Sequence, residues 1–195
     1  MFDRRDLLKS AGAAALIGGL GLAPLRDPRA EEPVLTEDGL YKQSWFLDSF
    51  LELQDDLETS AANGKRLAIM WELKGCPYCK ETHFVNFADP EISGFIRERF
   101  DILQLNIIGS RNVLDFDGEE LPEKDLAQKY GLRFTPSFQF FPADSEGLAE
   151  KEPREREVAR MQGYMKPEHF YAMFRYVDAG AYESQSFRDF LKAQS

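Results

Sequence analysis

Apolar positions along the chain change period several times, and each change predicts an element. Over residues 41–62, Trp45, Phe46, Leu47, Phe50, Leu51, Leu53 and Leu57 recur at near-helical spacing and stop at Asn63-Gly64, which predicts a helix. Lys65-Arg66 then introduces the continuous run Leu67-Ala68-Ile69-Met70-Trp71, the pattern of a strand buried on both faces. A helix is expected from the following turn through Phe84, a second over 90–99, and a strand over 100–107. Residues 108–121 read as a loop or irregular insertion, and 122–130 as a helix stopped by Gly131. Strands at 138–141 and 158–161 and a helix over 167–178 follow. The tail 184–194, with Phe187, Phe190 and Leu191 at helical spacing, predicts a short extra helix that packs on the domain or docks a partner. This order of strands and helices gives an α/β domain with a mixed sheet over 40–195, preceded by a lead at 31–39.

Residues 1–30 belong to a different class. The charged stretch Asp3-Arg4-Arg5-Asp6-Leu7-Leu8-Lys9 precedes a short Ala-, Gly- and Leu-rich run ending near Leu22, and Pro24 to Ala30 lead into polar sequence. That is the plan of a signal peptide. Arg4-Arg5 resembles the twin-arginine export signature, although Asp3 and Asp6 depart from its commonest form and leave the Sec route or a retained anchor open. A periplasmic location is therefore expected. Cleavage near Ala30 removes five basic and three acidic residues and leaves a more acidic chain.

Composition narrows the classes further. With 34 acidic against 24 basic residues and a net charge of −10, the chain lacks the positive field that nucleic-acid binding requires. A hydrophobic content of 43%, including 16 Phe, is ample for a packed core. Two cysteines cannot build a multiply bridged scaffold or close a four-thiolate zinc site.

Both cysteines lie in Cys76-Pro77-Tyr78-Cys79, between the buried strand and the next helix. Three residues of separation bring the sulfurs one helical turn apart, within bonding reach. Cys76 falls at a helix N-terminus, where free N–H groups and the macrodipole favour a thiolate. Pro77 suits the first helical position because it has no N–H to leave unsatisfied. Cys76 is thus expected to be the exposed nucleophile and Cys79 the deeper, resolving thiol. A structural disulfide this local would constrain the unfolded chain little. Haem attachment needs a histidine where Lys80 stands, and zinc binding would have to recruit His83 and the distant His169 without a recognised spacing. His83 alone reads as a helix-surface or partly buried residue. No metal and no bound cofactor is expected beyond the Cys76–Cys79 redox disulfide.

The segment Trp71-Glu72-Leu73-Lys74-Gly75-Cys76-Pro77-Tyr78-Cys79-Lys80 resembles the active-site strand and turn of the thioredoxin superfamily. A second motif agrees: Arg133-Phe134-Thr135-Pro136-Ser137-Phe138 matches the family segment in which a cis-proline opens the next strand, and Gly163-Tyr164 matches the glycine before the final helix. The texture between motifs is most similar to exported thioredoxins associated with bacterial sulfur oxidation, the SoxW-like group. The resemblance implies a thioredoxin-like fold, a central mixed β-sheet flanked by helices with an N-terminal helix and a short C-terminal helical extension. It implies catalysis by Cys76 and Cys79 on the turn formed with Pro77 and Tyr78, and substrate binding by Thr135 and Pro136, where the Thr135 backbone can pair with an extended peptide.

One departure concerns proton transfer. Met70 stands where thioredoxins proper carry a buried aspartate beneath the second cysteine, which leaves Glu72, Lys74 or water as proton acceptors for Cys79 and predicts slower or partner-assisted resolution. Lys74 and Lys80 add positive charge near the thiolate. The favoured activity is a monomeric reductase that takes electrons from a membrane thiol donor and reduces disulfides on exported proteins. An oxidase or isomerase and a non-enzymatic dithiol metal carrier are the alternatives. Asp115 to Glu120 lacks calcium-loop ligand spacing and reads as a solvated insertion, and 150–157 as a hairpin or solvent-facing connection.

Overall fold

The computed structural model describes residues 32–194; the signal-peptide reading of 1–30 lies outside them. Strand β3 (Arg66–Glu72) is the centre of a four-stranded sheet. It runs parallel to β4 (Phe100–Asn106), with Arg66 opposite Phe100 and Glu72 opposite Asn106. On its other side it pairs antiparallel with β7 (Ser137–Phe140), which pairs antiparallel with β8 (Ala159–Gln162). A parallel neighbour requires a crossover. Helix α2 (Pro77–Glu81), a π turn over Thr82–Asn86 and helix α3 (Pro90–Arg99) supply it. The carboxylate of Asp89 caps α3 by accepting from the N–H groups of Glu91 and Ile92, and Pro90 opens its first turn.

Alternation along β3 divides the core into two layers. Ala68 and Met70 enter the layer of Phe87, Ile96, Phe138, Phe170 and Phe174, covered by α3 and by α5 (Pro167–Asp178). Leu67, Ile69 and Trp71 enter the opposite layer with Leu105 and Tyr130, covered by α1 (Leu53–Ala62) and α4 (Glu123–Lys129). Phe87 is the hub of the first layer, with edge contacts to Trp45, Phe46 and Phe170 at ring distances of 5.4, 5.5 and 5.4 Å. Removing a side chain of this size from water stabilises the fold by about 1.5–3 kcal/mol. The C-terminal helix α6 (Phe187–Lys192) packs Phe187 and Phe190 on Tyr176, at 5.5 and 5.3 Å.

Three segments differ from the sequence expectation. The helix predicted over 41–62 forms only from Leu53 onward. Its first part instead holds β2 (Tyr41–Lys42), paired with β1 (Val34–Leu35), and an irregular strap. Phe46 packs in the first layer and Leu47 and Leu51 against the second, so this strap crosses the sheet edge, where the Leu47 N–H donates to the Ile102 carbonyl at 2.9 Å. Apolar residues that serve two layers imitate a helical period. The 108–121 insertion carries a hairpin, β5 (Asn112–Leu114) with β6 (Glu120–Pro122).

That hairpin is not a solvated insertion, because Asp115 is buried and accepts from Tyr130 Oη at 2.7 Å and from Arg156 Nη1 at 2.8 Å, with Lys129 Nζ at 2.7 Å. Arg156 belongs to the 150–157 segment, which folds as a 3-10 turn over Pro153–Arg156 and turns this side chain inward. Charge runs look solvent-facing in sequence; here two of them neutralise each other inside the fold.

Candidate active site

Residues Leu73 to Gly75 turn the chain from β3 into α2, and Gly75 takes φ +77°, a left-handed conformation that glycine adopts without steric cost. Cys76 is the N-cap of α2, and Pro77 occupies the first turn. The Cys79 N–H donates to Cys76 Sγ at 3.1 Å, so the sulfur sits where the helix presents unpaired donors. Cys76 and Cys79 form a disulfide with their Cα atoms 5.3 Å apart. Cys76 is half-buried and Cys79 is buried, which makes the first sulfur the accessible one.

The second motif comes to the same place from 59 residues away. The Thr135–Pro136 peptide is cis, and the Thr135 carbonyl oxygen lies 3.6 Å from Cys76 Sγ. Phe134, just before it, is 59% exposed. Tyr78 is also exposed and stacks on Tyr164, with ring centroids 6.1 Å apart and planes 20° from parallel. Desolvation, followed by the nearby Glu81 carboxylate, holds the Tyr164 phenol above its ordinary value. Lys80 places its ammonium over the Phe84 ring, 5.6 Å from the centroid. Lys74 lays its stem against Gly39 of the β1–β2 connection so closely that a Cβ there would come within 2.9 Å of it.

A pocket of about 530 Å³ opens between that N-terminal hairpin and the active-site turn. Its lining includes Glu72, Lys74, Cys76, Cys79, Lys80 and Tyr41. Glu72, Lys74 and Lys80 thus share this pocket with the two cysteines, while Met70 is fully buried among apolar side chains.

Sequence reasoning missed three participants. His83 is not a surface residue: it is fully buried, with Nε2 3.1 Å from each oxygen of Glu72. Gln104 donates to the same carboxylate and to the Tyr41 carbonyl. Gln43 faces the far side of the His83 ring. The spacing of Cys79 and His83, four apart on one helical face, was a usable signal; Gln43 and Gln104 carried none. Among the described residues no cluster of His, Cys, Asp and Glu is arranged to hold a metal ion.

Residues 53–178 match the model of the thioredoxin-like domain family, and the chain belongs to that family. A thioredoxin-fold protein from Helicobacter pylori shares 21% identity over 67% of this chain and 80% of its own, with a TM-score of 0.51. A thioredoxin from Thermus thermophilus shares 22% identity over 63% of this chain and 81% of its own, with a TM-score of 0.47. No curated protein matches the chain. Family membership and the closely spaced cysteine pair support a thiol–disulfide oxidoreductase in general.

Proposed function

We propose that this protein is an exported thiol–disulfide oxidoreductase that reduces disulfides on periplasmic partner proteins, in the manner of the SoxW-like thioredoxins. The observation that carries the reading is Cys76 at the N-cap of α2, half-exposed, with a buried Cys79 behind it and the Thr135 backbone alongside. Cys76 attacks a partner disulfide and forms a mixed disulfide; Cys79 then attacks Cys76 Sγ, and the partner leaves reduced. A membrane thiol donor restores the dithiol. Thr135 and Pro136 form the edge on which an extended partner segment lies. Arg4-Arg5 and the apolar run behind them support export.

The test is equilibration of the protein with defined thiol–disulfide buffers, scoring Cys76 and Cys79 by alkylation and mass. A reductase is expected to cycle reversibly near the thioredoxin potential of about −270 mV. A midpoint near the value of about −120 mV that marks strong oxidants would reverse the assigned electron flow. Failure to cycle would remove the oxidoreductase reading. Export is checked by fractionating cells that express the full chain and its Arg4→Lys/Arg5→Lys variant, with loss of the periplasmic pool expected in the variant.

A further inference from the structure

Glu72 and His83 form a buried acid–imidazole pair that the exchange chemistry described above does not use. The hydrogen bonds around it fix its protonation pattern. The Gln43 side-chain nitrogen lies 3.3 Å from the His83 carbonyl oxygen, an acceptor only, so the amide must present its NH₂ there. The same NH₂ lies 3.3 Å from His83 Nδ1, which is therefore the unprotonated acceptor. The ring proton resides on Nε2 and points at the Glu72 carboxylate. His83 thus donates its Nε2–H to the Glu72 carboxylate, which also accepts from Gln104.

Position gives this carboxylate a task. Glu72 lies two residues beyond Met70 on the same face of β3, and it lines the pocket that Cys79 also lines. His83 follows Cys79 by one helical turn. A buried thiol is a poor nucleophile until its proton has somewhere to go.

Resting on the oxidoreductase reading above, we propose that Glu72 takes the proton of Cys79 during resolution, and that Gln43, acting through His83, is a positioning residue that holds the Glu72 carboxylate in place. In that step the Cys79 Sγ–H proton passes to the Glu72 carboxylate and the Cys79 thiolate attacks Cys76 Sγ. The Cys76–Cys79 bond forms as the Cys76–partner bond breaks. The partner thiolate leaves with the electron pair, and Glu72 returns the proton to it or to solvent through the pocket. Other titratable or charged groups around the pocket are Lys74, Lys80, Tyr41 and Glu37; Gln104 and Asn106 of β4 are uncharged.

The experiment is stopped-flow oxidation of the reduced full chain by 5,5′-dithiobis(2-nitrobenzoate). The first equivalent of chromophore reports attack by Cys76 in a second-order phase. The second reports resolution by Cys79 in a first-order phase. Glu72→Gln is expected to slow the second phase at about pH 7 by at least about 10-fold, within the usual range for a lost general base. The first phase stays within about twofold, and the deficit closes near pH 10, above the ordinary cysteine pKa of about 8.5.

Gln43→Leu retains the acid–imidazole pair and lies outside the pocket lining. It removes the donor that fixes the His83 tautomer, so that Nε2–H is no longer held toward Glu72 and the carboxylate loses its fixed orientation. A smaller slowing with the same recovery at high pH is expected, and this second variant serves as the test where Glu72→Gln does not fold. An unchanged second phase, or slowing equal at both pH values, overturns the proposal. Release of fewer than two equivalents by the unmutated protein overturns instead the oxidoreductase reading on which it rests.

Discussion

Arg156 Nη1 lies 2.8 Å from the Asp115 carboxylate across 41 residues of chain, and both side chains are buried. The pair pins the β5–β6 hairpin to the 3-10 turn, with Tyr130 Oη bonded to the same aspartate and Lys129 beside it. Arg156→Met is expected to destabilise the protein by about 3 kcal/mol, toward the lower end for breaking a buried ion pair because Lys129 remains to face Asp115. Thermal melts of this variant, Asp115→Asn and the double variant measure the coupling.

The same cluster makes stability depend on acid. Burial raises the Asp117 pKa, but hydrogen bonds from Lys129 and Arg156 outweigh it and hold the carboxyl well below the usual carboxylate range. A folded-state pKa below the unfolded one stabilises above the unfolded value of about 3.9, and that contribution is lost as pH falls toward the folded value. The melting temperature should therefore drop as pH falls below about 4, and Arg156→Met should show a shallower drop.

Asp56 has the opposite sign. Burial pushes its carboxyl above the ordinary value, against the opposing hydrogen bond from Ser49 Oγ at 2.6 Å. A raised folded-state pKa means that ionised Asp56 costs stability at neutral pH and that protonation recovers it. Asp56→Asn should raise the melting temperature at about pH 7, and the gain should vanish below about pH 4, where the aspartate is protonated in both states. A gain of equal size at both pH values would show that charge is not its cause.

How far the sequence reached is decided by whether a segment answers to one neighbour or to several. The strand at 67–71 alternates regularly between the two layers, the helices at 90–99 and 167–178 each pack one face on the first layer, and their periods were readable. The 43–51 strap serves two layers and was misread as helix. The cysteine turn and the Thr135–Pro136 motif were legible because their chemistry is local to a few residues. The tie of Asp115 to Arg156 and the clamp of Gln43 and Gln104 around Glu72 and His83 join residues from distant segments that no local pattern marks.

Met70→Asp tests how strictly the first core layer excludes charge. Met70 is fully buried among Phe87, Phe138 and Phe170, and the acid closest in role, Glu72, already has its partners one step along the strand face. A carboxylate at 70 would be buried without a cation. Met70→Asp is thus expected to lose about 3 kcal/mol or more of stability. Urea titration measures that loss, and a variant as stable as the parent would mean that the layer admits water.

Phe134 offers the reverse case, a large ring that the core does not use. It is 59% exposed next to Thr135, whose carbonyl lies 3.6 Å from Cys76 Sγ, and Tyr78, two residues beyond Cys76 in α2, is also exposed and stacks on Tyr164. Exposed aromatic rings around a reactive atom gain their burial when a partner docks. Phe134→Ser should change stability by no more than about 0.5 kcal/mol, since little native contact is lost. Exchange with a small disulfide should be unaffected because such a substrate reaches only the sulfur. Reduction of a protein disulfide should slow several-fold, with the loss in KM rather than kcat, because the ring binds ground state and transition state alike. Equal losses on both substrates would place the effect in the dithiol itself rather than in partner recognition.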